Sequence, residues 1–302
     1  MYDIIVVGAG PAGLTASIYA LRAGKSVLVL EKEVFGGQIT YSPCVENYPG
    51  FEKISGAELA DHLVSQSKSL GAQINFESVS EIIDGKIKTV VTDSHRYECK
   101  SVIIATGARH RHLGLGGEEK FTGRGVSYCA VCDGAFFRGK NVAVVGGGDA
   151  ALQDAVFLSE RCSHVNIIHR RDVFRGEAHL VKILENRENV SFIMNCVVTS
   201  LKGDKKLSEI EIKNVVSEKT DTLLIDGLFI AVGQEPQNAP FANLISLDKG
   251  GYAISSENCT TKTNGIFVAG DCRTKEIRQL TTAVSDGTVA AINAVNYINN
   301  LK

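Results

Sequence analysis

Residues 2–31 read YDIIVVGAGPAGLTASIYALRAGKSVLVLE. The opening YDIIVV is a short β-branched run of the kind that forms a buried strand. Gly8, Gly10 and Gly13 follow at G-x-G-x-x-G spacing, with Pro11 and Ala12 between the last two, and LTASIYALRAG then places apolar residues at helical period. SVLVL predicts a second buried strand, and Glu31 stands at its end. Strand, glycine turn, helix, strand and terminal acid together make the βαβ dinucleotide fingerprint. The glycines let the backbone turn and approach a pyrophosphate. The helix N-terminus offers free N–H groups to phosphate charge, and Glu31 can accept hydrogen bonds from a ribose diol.

The unit recurs. NVAVV is a strand, and Gly146, Gly148, Asp149, Ala150 and Ala151 lie in the GGGDAA turn after it. The helix LQDAVFLSERC comes next, then the strand HVNIIH, which ends in His169 and runs into Arg170 and Arg171. One glycine pattern is weak evidence; two in the same strand and helix context are strong. The copies differ at the end of the second strand. An acid at position 31 suits a free adenosine ribose, as in FAD or NAD. Arg170, Arg171 and Arg175 would instead attract a 2′-phosphate and bind it in bidentate fashion. One chain is therefore expected to hold FAD and NADPH in separate units.

Two more stretches support the flavin. VIIATGA (102–108) predicts a strand ending at Thr106 and Gly107, and GIFVAGD (265–271) one ending at Gly270 and Asp271. An acid at a strand end beside glycine can bind the ribityl hydroxyls of a flavin. Asp271 lies well beyond the second fingerprint, so flavin-binding sequence must flank NADPH-binding sequence. The expected fold class is α/β, with two Rossmann-like, three-layer ββα dinucleotide-binding domains. The NADPH domain, 114–239, is inserted in a discontinuous FAD domain made of 1–113 and 240–302. The final helix, QLTTAVSDGTVAAINAVNYI, opens with small residues that would let it approach a bound cofactor closely.

The bulk properties agree. A chain of 302 residues has room for two domains. Its apolar share of 44% and charged share of 22% are those of a globular protein. A net charge of −2 without a long Lys/Arg run argues against nucleic acid or an anionic membrane as partner. The apolar N-terminus lacks a basic flank and is broken by glycines and a proline, so it reads as folded protein rather than a signal peptide. No other segment has the roughly 18 apolar residues of a membrane span. The eight cysteines include one tightly spaced pair, which is not the density of a secreted disulfide scaffold, and a cytoplasmic location is expected.

That pair is Cys129 and Cys132 in CAVC, followed directly by Asp133 and Gly134. Such a pair can bind a metal, close a redox-active disulfide or be inert. Zinc sites take about four Cys/His ligands, and the nearby pairs His110/His112 and Cys162/His164 do not supply a matching knuckle, so no metal is expected.

The motifs GAGPAG, GGQI, VENYPG, ATGA, CAVCDG, GGGDAA, HRRDVFR, AVGQEP, GIFVAGD and RQLTTAVSDG, in this order and spacing, cover essentially the whole chain. The chain resembles the low-molecular-weight, bacterial type of thioredoxin reductase. The resemblance implies an FAD- and NADPH-dependent homodimer that passes electrons to the disulfide of thioredoxin or a thioredoxin-like protein. It puts Gly8, Gly10, Pro11, Ala12, Gly13 and Glu31 on the adenosine half of FAD. It places Gly37, Gln38, Asn47, Thr106, Gly107, Gly270, Asp271, Arg278 and Gln279 near the flavin half or the ribityl chain. Gly146, Gly148, Asp149, Ala150 and Ala151 would meet the NADPH pyrophosphate, and His169, Arg170, Arg171 and Arg175 would surround its 2′-phosphate. Clostridial-type relatives with a tail similar to CRTKEIRQLTTA include ferredoxin-fed enzymes that lack the arginine cluster. Here the cluster is intact, which favours NADPH.

A redox disulfide then explains the thiols. Residues after Asp133 can begin a helix whose dipole would lower a thiol pKa. A thiolate of the pair would attack the partner's disulfide and the second thiol would resolve the mixed disulfide. Asp133 is placed to protonate the leaving thiolate, which requires a pKa raised by partial burial. The spacing leaves open which cysteine attacks; the resemblance favours Cys132. Dithiol, nicotinamide and protein partner cannot all be served by one arrangement, so a domain rotation is expected, with hinges at Gly114, Gly116, Gly117 and Gly233. The competing expectations are a ferredoxin-fed reductase, a small-molecule dithiol oxidase and a non-catalytic nucleotide-binding module.

Overall fold

Apolar residues on both faces of the strand Tyr2–Val7 decide the first layer. Ile4 and Val6 point into one core, and Ile5 and Val7 into another. Alternation that buries both faces marks the centre of a parallel sheet. The computed structural model describes residues 1–301 and divides into two units, Met1–Arg109 with Glu235–Lys302, and His110–Gln234.

In the first unit, Gln73–Phe76, Val27–Glu31, Tyr2–Val7 and Arg96–Ile104 run parallel in that order. The long strand Arg96–Ile104 shares its far edge. Lys88–Thr92, itself paired with Val79–Ile83, lies antiparallel along its first half, and Ile266–Val268 runs parallel along its second. The helices Pro11–Arg22 and Leu280–Asn299 pack together on one face. Because Tyr2–Val7, Arg96–Ile104 and Ile266–Val268 are neighbours and parallel, the turns after all three open at one sheet edge.

In the second unit, Val190–Met194, His164–His169, Asn141–Val145, Gly227–Ile230 and Val126–Ser127 form a parallel sheet in that order. The helices Asp149–Ser159 and Ala178–Glu185 contribute to the core on one face. On the other lies an antiparallel sheet of Cys196–Gly203, Leu207–Asn214 and Thr220–Leu224.

The chain passes between units at 109–110 and 234–235, a few residues earlier than the sequence suggests, and Ala108–His110 pairs with Gln234–Pro236 there. The stretch from Gly114 to Gly117 is thus inside the second unit and is held there. The buried Glu118 carboxylate accepts the N–H groups of Leu113, Gly114 and Leu115 at 2.9–3.2 Å and the Tyr128 hydroxyl at 2.7 Å. Three converging backbone donors tie this loop to Glu118 within the unit. Gly233, at φ +113°, stands next to a crossing.

Candidate functional site

The first glycine turn is shaped by contact. A side-chain carbon at Gly8 would lie 2.3 Å from the Ala105 carbonyl, and one at Gly13 would lie 1.9 Å from the Gly8 carbonyl. Glycine is required because the backbones touch. Gly10, by contrast, faces open space and starts the helix Pro11–Arg22 with no side chain capping it, so the N–H groups of the first turn, Ala12 and Gly13 among them, are left for a phosphate. One oxygen of Glu31 accepts the Ala9 N–H and the other the Glu33 N–H, both at 2.8 Å. A carboxylate has about four acceptor positions, so two remain for a ribose diol.

Thr106 and Gly107, then Gly270 and Asp271, follow the two neighbouring strands. Thr106 donates to Asn238 at 3.3 Å, and Gly107 faces open space. Asp271 Oδ1 is buried with no hydrogen-bond partner among the described residues. Burial holds this carboxyl above its ordinary range, while Lys275 and Arg278 pull it down. A buried acceptor without a donor, beside an uncapped helix start, fits a dinucleotide carrying a polyol chain. The Arg278 guanidinium lies 4.1 Å over the Tyr252 ring and donates to the carbonyls of Asp271 and Arg273, so it is bound to this turn rather than loose at the surface. Asn47 reaches Gln279 at 3.5 Å, and Gln279 caps the last helix. Gln38, on the turn that begins at Gly37, donates to the Ala108 carbonyl.

Three residues that the sequence does not single out set this turn. Asp286 accepts the Gly270 N–H at 3.0 Å, two bonds from Arg273 at 2.7 and 2.8 Å, and Lys275 at 2.9 Å. All three side chains are buried. A charged residue amid the small residues of TTAVSDG was the available signal. The small residues of that helix pack against Pro11–Arg22: a side-chain carbon at Gly287 would meet the Ala12 carbonyl at 2.2 Å.

In the second unit, a side-chain carbon at Gly146 would meet the Ala231 carbonyl at 2.5 Å, Gly148 starts the helix Asp149–Ser159 without a side-chain cap, and Ala150 and Ala151 follow in its first turn. The Asp149 carboxylate accepts the Glu177 N–H at 2.7 Å, so its backbone, not its acid, is what a phosphate would meet. Arg170, Arg171 and Arg175 are exposed and form no ion pair among the described residues. His169 departs from the expectation. Its ring is buried, stacks on Phe174 and lies over Gly147, where a side-chain carbon would come within 2.1 Å of it. Burial and the nearby arginines lower its pKa against the opposing Val173 carbonyl, 3.2 Å from Nε2, so the ring also supports the turn.

Cys129 and Cys132 form a disulfide, Cα atoms 5.3 Å apart. The helical turn Ala130–Asp133 begins at Cys129, earlier than expected, and Cys129 Sγ accepts the Cys132 N–H at 3.2 Å. Cys132 is exposed and Cys129 half-buried. Asp133 follows, its pKa raised by burial against an opposing hydrogen bond from Ser127 at 2.6 Å. Ser127 was not singled out in the sequence, where nothing but its place two residues before Cys129 marks it. No group of three His, Cys, Asp or Glu among the described residues could hold a metal ion.

Two dinucleotide cradles and a disulfide on one of them define a disulfide oxidoreductase driven by a nicotinamide nucleotide. Residues 2–287 match the model of the pyridine nucleotide-disulphide oxidoreductase family, and the chain belongs to that family, on its low-molecular-weight thioredoxin reductase branch. It is 44% identical to a thioredoxin reductase of Listeria innocua over 100% of this chain and 95% of that one. It is 42% identical to that of Bacillus subtilis over 100% and 96%. The crystal structure of thioredoxin reductase from Streptococcus pyogenes matches at a TM-score of 0.95 and 41% identity, over 99% of this chain and 98% of that one.

Proposed function

We propose that the chain is an NADPH-dependent flavoprotein that reduces the disulfide of thioredoxin. The observation that carries this reading is the Cys129–Cys132 disulfide, exposed at Cys132, on the same unit as an uncapped phosphate cradle and three exposed arginines without an ion pair among the described residues. FAD, when bound, supplies the two-electron relay between nicotinamide and disulfide. Glu31 and the first glycine turn bind its adenosine and pyrophosphate, and Asp271 accepts from its ribityl chain. Arg170, Arg171 and Arg175 bind the 2′-phosphate that distinguishes NADPH from NADH.

Once the disulfide is reduced, Cys132 is the thiol that reaches a protein partner, because it is exposed while Cys129 is half-buried. Its thiolate attacks the partner's disulfide, and Asp133, whose raised pKa lets it hold a proton, protonates the thiolate that leaves. Cys129 then resolves the mixed disulfide. The unit His110–Gln234 turns between half-reactions about the crossings at 109–110 and 234–235, since one dithiol cannot both be reduced internally and engage a protein substrate. A homodimer in the cytoplasm completes the reading; sedimentation tests the first. No helix among the described residues is long and apolar enough to cross a membrane.

Flavin bleaching by NADPH, NADH and reduced ferredoxin in stopped flow tests the donor, and NADPH oxidation with a panel of thioredoxins tests the acceptor. NADPH is expected to bleach the flavin fastest, and turnover to need a thioredoxin. Cys132→Ser should abolish turnover and leave bleaching intact. Fast NADPH oxidation without any thioredoxin would point to a dithiol oxidase.

A further inference from the structure

Ser127 is a hydroxyl only 4% exposed that sits between the disulfide and the acid beside it. Its oxygen accepts the Cys129 N–H at 3.1 Å. Its hydrogen has two acceptors within reach, Asp133 Oδ2 at 2.6 Å and the Cys129 carbonyl at 3.3 Å, and the nearer, charged-capable one wins. The residue closes the strand Val126–Ser127, where it pairs with Phe229 of the central sheet. The hydroxyl is therefore positioned by a strand instead of by the loop that carries the thiols. The Asp133 N–H is bound in turn to the Cys129 carbonyl at 3.1 Å. One side chain thus links the backbone of the half-buried cysteine to the carboxyl of the acid.

We propose that Ser127 is a positioning residue for the acid: its hydroxyl fixes the Asp133 carboxyl through Oδ2 and leaves Oδ1 as the oxygen that carries and delivers the proton. The proposal rests on the reading of Asp133 as general acid. In that step the Cys132 thiolate forms a bond to one sulfur of the partner's disulfide. The partner's S–S bond breaks, the electron pair leaves on its other sulfur, and the proton on Oδ1 passes to that sulfur. The enzyme dithiol supplies the electron pair and ends as the disulfide.

Among the described residues, Ser127 is the one side chain bonded to this carboxyl. The helix Asp149–Ser159 packs against the turn Ala130–Asp133 and brings two acids. Asp149 is bound to the Glu177 N–H, and Asp154 is pushed up to about 7 by burial. The turn Gly134–Phe137 and the strand Gly227–Ile230 carry no titratable side chain. Tyr128, between Ser127 and Cys129, directs its hydroxyl to Glu118. Burial raises the Asp133 pKa and the Ser127 bond opposes it. Removing the hydroxyl therefore makes the acid keep its proton to higher pH.

The test is the pH profile of thioredoxin reduction by pre-reduced enzyme in stopped flow, with NADPH-driven flavin bleaching as the control that does not use Asp133. Asp133→Asn is expected to remove the basic limb of the profile. Ser127→Ala is expected to move that limb up by about one pH unit and to lower the plateau about 10-fold. Ser127→Thr, which keeps the hydroxyl, should restore both. If Ser127→Ala does not fold, Ser127→Gly makes the same deletion. A limb removed by Asp133→Asn but unmoved by Ser127→Ala or Ser127→Gly overturns the proposal alone. A limb that survives Asp133→Asn assigns the proton to another group and overturns the general-acid reading with it.

Discussion

Asp271 Oδ1 is buried without a hydrogen-bond partner among the described residues, and burial raises its pKa above the ordinary carboxylate value. A carboxyl raised in this way favours the folded chain in acid and costs it stability as pH rises through the folded pKa. Flavin-free protein carrying Asp271→Asn is therefore expected to melt a few degrees above the flavin-free parent at neutral pH. The gap should close below about pH 4, where both chains are neutral at this position. With FAD bound the order should reverse, because the carboxylate then has donors to accept. Calorimetry of both proteins, with and without FAD, across that range checks it. Glu31, Asp271, Arg170 and Arg171 were legible as residues because each stands at or just past the end of a β-branched strand, and Arg175 follows close behind. His169 was not, since a ring under Gly147 and a ring facing a phosphate share one position in the sequence. Ser127 and Asn238 were hidden for a related reason. Asn238 is buried and donates to the carbonyls of Gly251 and Cys272, partners distant in the chain.

Among the elements, the first and last helices meet through small residues, Ala12, Ala16 and Ala20 on one and Ala283, Gly287, Ala290 and Ala294 on the other. The short distance between them brings the start of the last helix, and Asp286 with it, to the Gly270 turn. Gly287→Ala places a carbon 2.2 Å from a backbone carbonyl, and backbone cannot yield as a flexible side chain does. A loss of about 1–3 kcal/mol is expected, as for other overpacked contacts, together with weaker retention of FAD. Denaturant midpoints and the flavin-to-protein ratio after purification measure the two effects. Parent-like values of both would show that the helices separate freely there. The small-residue pattern was visible in the sequence, but its object was not. Close approach to a cofactor and close approach to a helix demand the same small side chains.

For the molecule as a whole, the proposed rotation of one unit would make turnover depend on a motion that neither half-reaction needs by itself. If the unit His110–Gln234 turns between half-reactions, turnover with thioredoxin should slow roughly in proportion to solvent viscosity. Flavin bleaching by NADPH should slow less. Equal insensitivity of both would remove the rotation from the mechanism. The sequence by itself determined the two βαβ units, the nesting of one in the other, the C-x-x-C and the charge that separates the two nucleotides. These are local patterns: strand, turn and helix signals lie within about 30 residues of one another. Only the tertiary structure showed that the chain from Leu113 to Leu115 is tied down, because the carboxylate of Glu118 meets three backbone donors in space. It alone showed that Cys132 is the exposed cysteine of the pair, that the His169 ring is buried, and that the Ser127 hydroxyl reaches Asp133. Burial and hydrogen-bond direction depend on what distant segments bring to a side chain, and no spacing in the chain records that.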